Sequence, residues 1–191
     1  MPAFEEPMNV LDRMGKFDRP WFIAGGWAVD LFLGRVTRPH KDIEIAIVRA
    51  DQGALRAYLS GWEFRKVVKG KLVPWRDDES LEPPVHEIHA SREGRHASRL
   101  EILLNEASCD DWLFRRNPAI TRSLSTVRLL SEAGVPYLAP EIVLLYKAKS
   151  PGPHDELDFR NLLPSLGPER RAWLRHALEI CHPGHSWISH L

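Results

Sequence analysis

A chain of 191 residues is long enough to bury a sizeable core without disulfide or metal staples. Its 26 basic and 26 acidic residues cancel, which excludes a global field that would recruit nucleic acid or an anionic membrane and argues against a large RNA as partner. The two cysteines, Cys109 and Cys181, lie far apart and in no zinc spacing, and no apolar run approaches the roughly 18 residues of a membrane helix, so a soluble cytoplasmic protein without a structural disulfide is expected.

The N-terminal stretch is slightly acidic and broken by prolines, with neither a basic n-region nor an apolar h-region, which predicts no signal peptide. Val10, Leu11 and Met14 recur at helical spacing and predict a short helix over 8–17, closed by Pro20. Trp21 to Ala24 reads as a strand that runs into Gly25-Gly26. Trp27 to Leu33 reads as a buried helix, interrupted only by Asp30 and capped by Gly34. A basic loop follows with Arg35, Arg38, His40 and Lys41. Then Asp42 to Val48 reads as a strand on which Asp42 and Glu44 share one face, while Ile43, Ile45 and Ile47 share the other.

Asp51 is placed to cap a helix through Leu59. Trp62 to Val68, Leu72 to Trp75, Val85 to Ala90 and Arg99 to Leu104 read as strands, with Pro74 confining the second to an edge. The connection SREGRHAS suits a hairpin. Residues 108–135 are mixed, with RRNPAITR an exposed basic turn, and 136–140 reads as a linker. Helices are expected over 139–149, 154–163 and 168–180, the first with Pro140 at its start and Lys147 and Lys149 near its end. Trp112, Trp173 and Trp187 are expected to pack in the interior or at interfaces, and His182, His185 and His190 to lie on a surface tail.

Two carboxylates fixed on a strand make half of a metal site, and a glycine pair at a helix start can bring backbone N–H groups up to an anion. Each feature alone has a bland reading, a solvent-facing edge strand or a plain turn. Together they supply what a nucleoside triphosphate and its bridging cation need.

The run Gly25-Gly26-Trp27-Ala28-Val29-Asp30, Gly34-Arg35-Val36-Thr37-Arg38, His40, Asp42-Ile43-Glu44 resembles the signature of the polymerase-beta-type nucleotidyltransferases, most closely their aminoglycoside 2''-nucleotidyltransferase branch. Beyond about residue 60 the similarity is one of architecture. The resemblance implies an α/β (α+β) nucleotidyltransferase fold, a mixed twisted sheet flanked by helices in residues 1–115, followed by a linker and a small helical domain in 116–191. It implies a third carboxylate on a later strand, for which Glu101 is the choice and Glu87 the rival. Glu44 stands where the pattern more often has Asp, which lengthens the reach to a metal. The implied site is Asp42, Glu44 and Glu101 as Mg²⁺ ligands and catalytic groups, with Gly25, Gly26, Arg38 and Lys147 seating the phosphates.

The implied reaction moves AMP from ATP to a hydroxyl of a small acceptor such as an aminoglycoside. Asp155 and Asp158 are candidates for gripping a cationic substrate, and Asp77, Asp78, Glu79, Glu82 and Glu87 could make an acidic cleft mouth. The alternative is a relative of the toxin or antitoxin type, or one without catalysis, that binds nucleotide or a protein or RNA partner. Acceptor, base preference, metal count and oligomeric state stay open.

Overall fold

The computed structural model describes residues 4–93 and 98–191. The chain opens with helix α1 (Glu5–Met14), strand β1 (Trp21–Ile23), helix α2 (Gly25–Leu33) and strand β2 (Glu44–Val48). After a 3₁₀ turn at Arg49–Asp51 come α3 (Gln52–Tyr58), β3 (Glu63–Val68), β4 (Lys71–Pro74), β5 (Glu87–Arg92) and the long β6 (Ser98–Ser108). The second half adds β7 (Asp111–Leu113), β8 (Thr121–Ser123), α4 (Leu124–Val127), β9 (Arg128–Leu130), β10 (Pro136–Leu138), α5 (Pro140–Lys147), α6 (Pro153–Leu162) and α7 (Pro168–Cys181).

The main sheet runs β4-β3-β5-β6-β2-β1-β10-β9, and β7 and β8 branch from the far end of β6. Pairs β2–β6 and β1–β10 are parallel and the others antiparallel, so the sheet is mixed as expected. Alternation explains the centre: Ile45 and Ile47 are buried on one face of β2, which starts at Glu44 rather than at Asp42 as read, with Ile43 buried just before it, beside Ile102 and Leu104 of β6 and Ile88 of β5. β4 is the edge strand that Pro74 predicted.

Several boundaries differ from the sequence reading. α1 ends at Met14, with Gly15 following. The 3₁₀ turn absorbs Asp51, whose side chain makes no cap hydrogen bond. The expected hairpin tip falls on 94–97, outside the described residues, although β5 and β6 do pair antiparallel. The expected linker at 136–140 is a buried strand. Pro136 can open β10 because a first strand residue need not donate to the ladder, Tyr137 pairs with Ile23 of β1, and Pro140 already begins α5.

Helix α5 is apolar on nearly every side and packs against α7, α2 and α6. Its fully buried Glu141 is held by Arg170 at 2.6 Å and Arg122 at 3.0 Å, the pairing a buried charge requires. The C-terminal segment, whose histidines were expected on a surface tail, is anchored through Trp187, which packs inside as expected. Trp187 is buried, stacks on Phe159 with centroids 4.3 Å apart and donates its indole N–H to Glu156. Trp112 is likewise buried, with its N–H on Asn105, and both cysteines are free. No helix among the described residues is long and apolar enough to cross a membrane.

Candidate active site

β2 and β6 run parallel, and their register sets Glu44 directly beside Glu101. The backbone N–H of Glu101 donates to the carbonyl of Ile43, which fixes the chain immediately after Asp42. On the neighbouring β5, His89 stands opposite Glu101 and Glu87 stands opposite Leu103, so Glu44, Glu101, His89 and Glu87 share one face of the sheet. Glu44 and Glu101 are thus neighbours, Glu87 lies on the same face, and Asp42, two residues before Glu44, is near enough for its charge to act on both Glu44 and Glu101.

The electrostatics record that crowding. Burial, then the charges of Glu101 and Asp42, push the Glu44 carboxyl up to about 7, with Lys147 opposing. Burial and Asp42 also raise Glu101, against the pull of His89. His89 Nε2 lies 2.8 Å from Glu87, and its other ring nitrogen lies 3.7 Å from Glu101. Ligand atoms of Glu87, His89 and Glu101 lie within 4.8 Å of one another. Crowded carboxylates that resist ionisation suit a hard divalent cation with oxygen ligands, so the side chains present fit the metal that the sequence pattern implies.

The two glycines explain how the acidic strand and the basic loop both reach the start of α2. Gly25 has φ +57°, and a Cβ there would stand 1.5 Å from Glu44 Oε2. A Cβ on Gly26 would stand 2.3 Å from Arg38 Nη2 and 2.7 Å from the His40 ring. Gly25→Ala is therefore expected to cost about 1–2 kcal/mol for the left-handed backbone alone and to push Glu44 off its position. Urea denaturation together with titration of Mg²⁺ checks this, and an Ala variant with wild-type values for both would refute the packing argument.

The loop itself is held by Asp30, which lies fully buried in an otherwise apolar helix. Asp30 accepts from the Thr37 hydroxyl at 2.6 Å and from the Thr37 N–H at 3.1 Å, and its other oxygen lies 2.6 Å from His40 Nε2. His40 also stacks on Trp27 at 4.3 Å. Arg38 leaves the loop to make a two-pronged pair with Asp158 of α6, both contacts at 3.0 Å. Lys147 meets Asp155 at 2.5 Å and Asp158 at 3.0 Å. Asp158 is fully buried between the chain's own cations and is not a substrate grip, which corrects the sequence reading.

Two cavities are lined by the carboxylates. One of about 810 Å³ opens beside Asp42, Glu101 and His89 towards α1 and β3. A smaller one of about 230 Å³ lies beside Gly25, Glu44 and Lys147 and is walled by Arg115, Arg116 and Tyr146. The arginine pair lies on a turn with Arg116 exposed, as read from sequence, and also against Tyr146: Arg116 donates to the Tyr146 carbonyl at 2.9 Å and both guanidiniums approach its ring. The available signal was a pair of arginines directly after the apolar Trp112–Phe114 stretch. For Asp30 it was a lone acid among apolar helix residues. The acidic residues expected at the mouth are elsewhere: Asp77, Asp78, Glu79 and Glu82 line a third cavity by Val48 and Glu106, past the opposite end of β2, where Asp77 pairs with Arg56 and Glu79 with Lys66.

A mixed sheet with acidic residues at one end of a central strand, a glycine turn and a helix beside them defines a nucleotidyltransferase-type fold. Solved structures share it. The lincomycin-bound lincosamide antibiotic adenylyltransferase LnuA superposes with a TM-score of 0.58 at 19% identity over 83% of this chain and 95% of that one. ANT(2'')-Ia in complex with adenylyl-2''-tobramycin gives 0.60 at 18% identity over 91% and 95%. Residues 7–159 match the model of the aminoglycoside-2''-adenylyltransferase family, and the chain belongs to that family. Similar proteins include 2''-aminoglycoside nucleotidyltransferases of Escherichia coli and Klebsiella pneumoniae, each 50% identical over 49 residues. Those alignments cover 26% of this chain and 28% of each relative's length.

Proposed function

We propose that this protein is an Mg²⁺-dependent nucleotidyltransferase that moves AMP from ATP to a hydroxyl group of a small acceptor. The observation that carries the reading is the parallel pairing of β2 and β6, which sets Glu44 beside Glu101 with Asp42 two residues upstream, at the foot of the Gly25-Gly26 turn. Family membership and the adenylyltransferases among the structural neighbours support it.

Asp42, Glu44 and Glu101 would hold the cation, which when bound supplies charge neutralisation of the triphosphate and of the in-line transition state. The N–H groups opening α2 at Gly25 and Gly26 would seat the phosphates, and Lys147 with Arg115 and Arg116 would add positive charge on the side of the smaller cavity. Arg38 acts from behind, holding Asp158 and with it Lys147. The acceptor hydroxyl oxygen attacks the α-phosphorus, the bond to the β-phosphate oxygen breaks, and pyrophosphate leaves. A carboxylate on the side of Glu101 takes the hydroxyl proton. The division into a nucleotidyltransferase unit (1–115) and a C-terminal unit (116–191) belongs to the same proposal, with β9 and β10 as the strands by which the second returns to the first unit's sheet. A cytoplasmic location fits the two free cysteines.

The test is incubation with each nucleoside triphosphate, Mg²⁺ and a panel of aminoglycosides, lincosamides and simple hydroxylated acids, scoring pyrophosphate release. Release that requires both an acceptor and Asp42 is expected. No release with any acceptor, together with no Mg²⁺-dependent nucleotide binding, would overturn the reading.

A further inference from the structure

Beside the acidic end of β2 the sheet carries a second group of donors with a different chemistry. β5 pairs antiparallel with β6 so that His89 stands opposite Glu101, and Glu87, two residues before His89, shares that face. His89 Nε2 lies 2.8 Å from Glu87, and its Nδ1 lies 3.7 Å from Glu101. One donor atom from each of the three lies within 4.8 Å of the other two, and among the described residues no other three His, Cys, Asp or Glu donors are drawn so close. Asp42 and Glu44 stand outside the group. Both strands are paired on either side, so the backbone that carries these donors is fixed. The three side chains are 32%, 30% and 28% exposed, which lets an ion enter and water complete its shell.

We infer that Glu87, His89 and Glu101 form a second cation position, which takes a first-row transition metal ion such as Zn²⁺ or Co²⁺ through one imidazole nitrogen and two carboxylate oxygens. The donor set decides the ion. Mg²⁺ prefers an all-oxygen shell and dehydrates reluctantly, whereas an imidazole among carboxylates suits Zn²⁺ and its neighbours. Ligands about 2.0–2.2 Å from one such ion stand about 3.5 Å from each other. An ion that replaces the proton between His89 and Glu87 therefore needs only a small rotation of the Glu101 side chain to close the third side. Arg65, opposite His89 on β3, is paired with Glu63 at 2.8 Å, so its charge is largely taken up beside the group. The position stands whatever reaction the site performs. That Glu101 then serves two ions rests on the nucleotidyltransferase reading above.

The probe is Zn²⁺ alone, titrated by calorimetry without nucleotide into the full chain and into His89→Gln, Glu87→Gln and Asp42→Asn. Affinity should fall at least about tenfold in His89→Gln and in Glu87→Gln, each of which loses one ligand, and less in Asp42→Asn. In NMR spectra of the wild type, the His89 ring signals should be the first among the nine histidines to shift as Zn²⁺ is added. The substituted side chains are partly exposed, so wild-type melting temperatures in EDTA are expected and show that the variants fold. Wild-type Zn²⁺ affinity in His89→Gln would overturn the inference, as would no Zn²⁺ binding by the wild type. A greater loss in Asp42→Asn than in His89→Gln would move the ion to the β2 carboxylates, and first shifts at His182, His185 or His190 would move it to the C-terminal segment; either result overturns it too. The expected Zn²⁺ pattern in a protein that transfers no nucleotide to any acceptor would uphold this position and remove the reading above.

Discussion

Glu44→Gln is expected to lower kcat/KM for nucleotidyl transfer by about 10³-fold, because a charged ligand to the cation contributes several kcal/mol of transition-state stabilisation and each 1.4 kcal/mol is tenfold. The same substitution should stabilise the metal-free protein above neutrality. Glu44 has its carboxyl raised to about 7 in the fold by burial and by its neighbours Glu101 and Asp42. Between the ordinary carboxylate range and about pH 7 the folded state therefore binds more protons than the unfolded state. Stability in the absence of metal falls as pH rises through that window, by about 3 kcal/mol if Glu44 acts alone, and levels off above it. Mg²⁺ competes with that proton, so the rise in Tm it produces should be larger at pH 8 than at pH 5.5 in the wild type. In Glu44→Gln the pH dependence should flatten and the Mg²⁺ effect should shrink at both values. A variant less stable than wild type at pH 8 in EDTA would show that Glu44 is not held against electrostatic resistance.

The parts of this site that local chemistry dictates were legible in the sequence. Asp42-Ile43-Glu44 declares its faces by period-two alternation, and Glu101 stands out as an acid in an apolar strand, which costs free energy unless something pairs with it. The same rule applied to α2 would have singled out Asp30, the hidden anchor of the basic loop. What was not legible depends on register and on distant partners. Whether Glu87 reaches the site turns on β5 pairing opposite β6 so that His89 meets Glu101. Arg116 sits on the exposed turn that the sequence suggests, but its hydrogen bond to Tyr146, thirty residues on, has no local signal. The four acids at 77–82 looked available for the cleft, but the fold sets them past the other end of β2, beside Val48 and Glu106, where Asp77 pairs with Arg56 and Glu79 with Lys66. The stretch at 136–140 reads as punctuation because of its prolines, yet Tyr137 and Leu138 are apolar and fill the place beside β1.

Asp158 carries the largest expected effect on stability. It is fully buried, takes both prongs of Arg38 at 3.0 Å and lies 3.0 Å from Lys147, so Asp158→Ala would leave two cations facing each other in a largely dry space. Removing one partner from a buried pair typically costs about 3–5 kcal/mol. The lower end is expected here, because Arg38 and Lys147 retain some access to solvent. Asp155→Asn should cost much less, since that carboxylate is more exposed and Lys147 keeps Asp158.

The loss should not stop at α6. Arg38 packs over Gly26, where the acidic strand and the basic loop converge, so an Arg38 released from Asp158 loosens the start of α2 and raises the KM for ATP as well. The two consequences separate in the double variant Arg38→Met with Asp158→Leu. An apolar pair of similar volume can match a buried ion pair in stability, so urea denaturation should return most of the lost free energy. Lys147 would still lack its buried partner, and nucleotide affinity should stay low. Recovery of both properties would mean that the pair only fills space. Recovery of neither would mean that α6 is held by Asp158 through contacts other than Arg38.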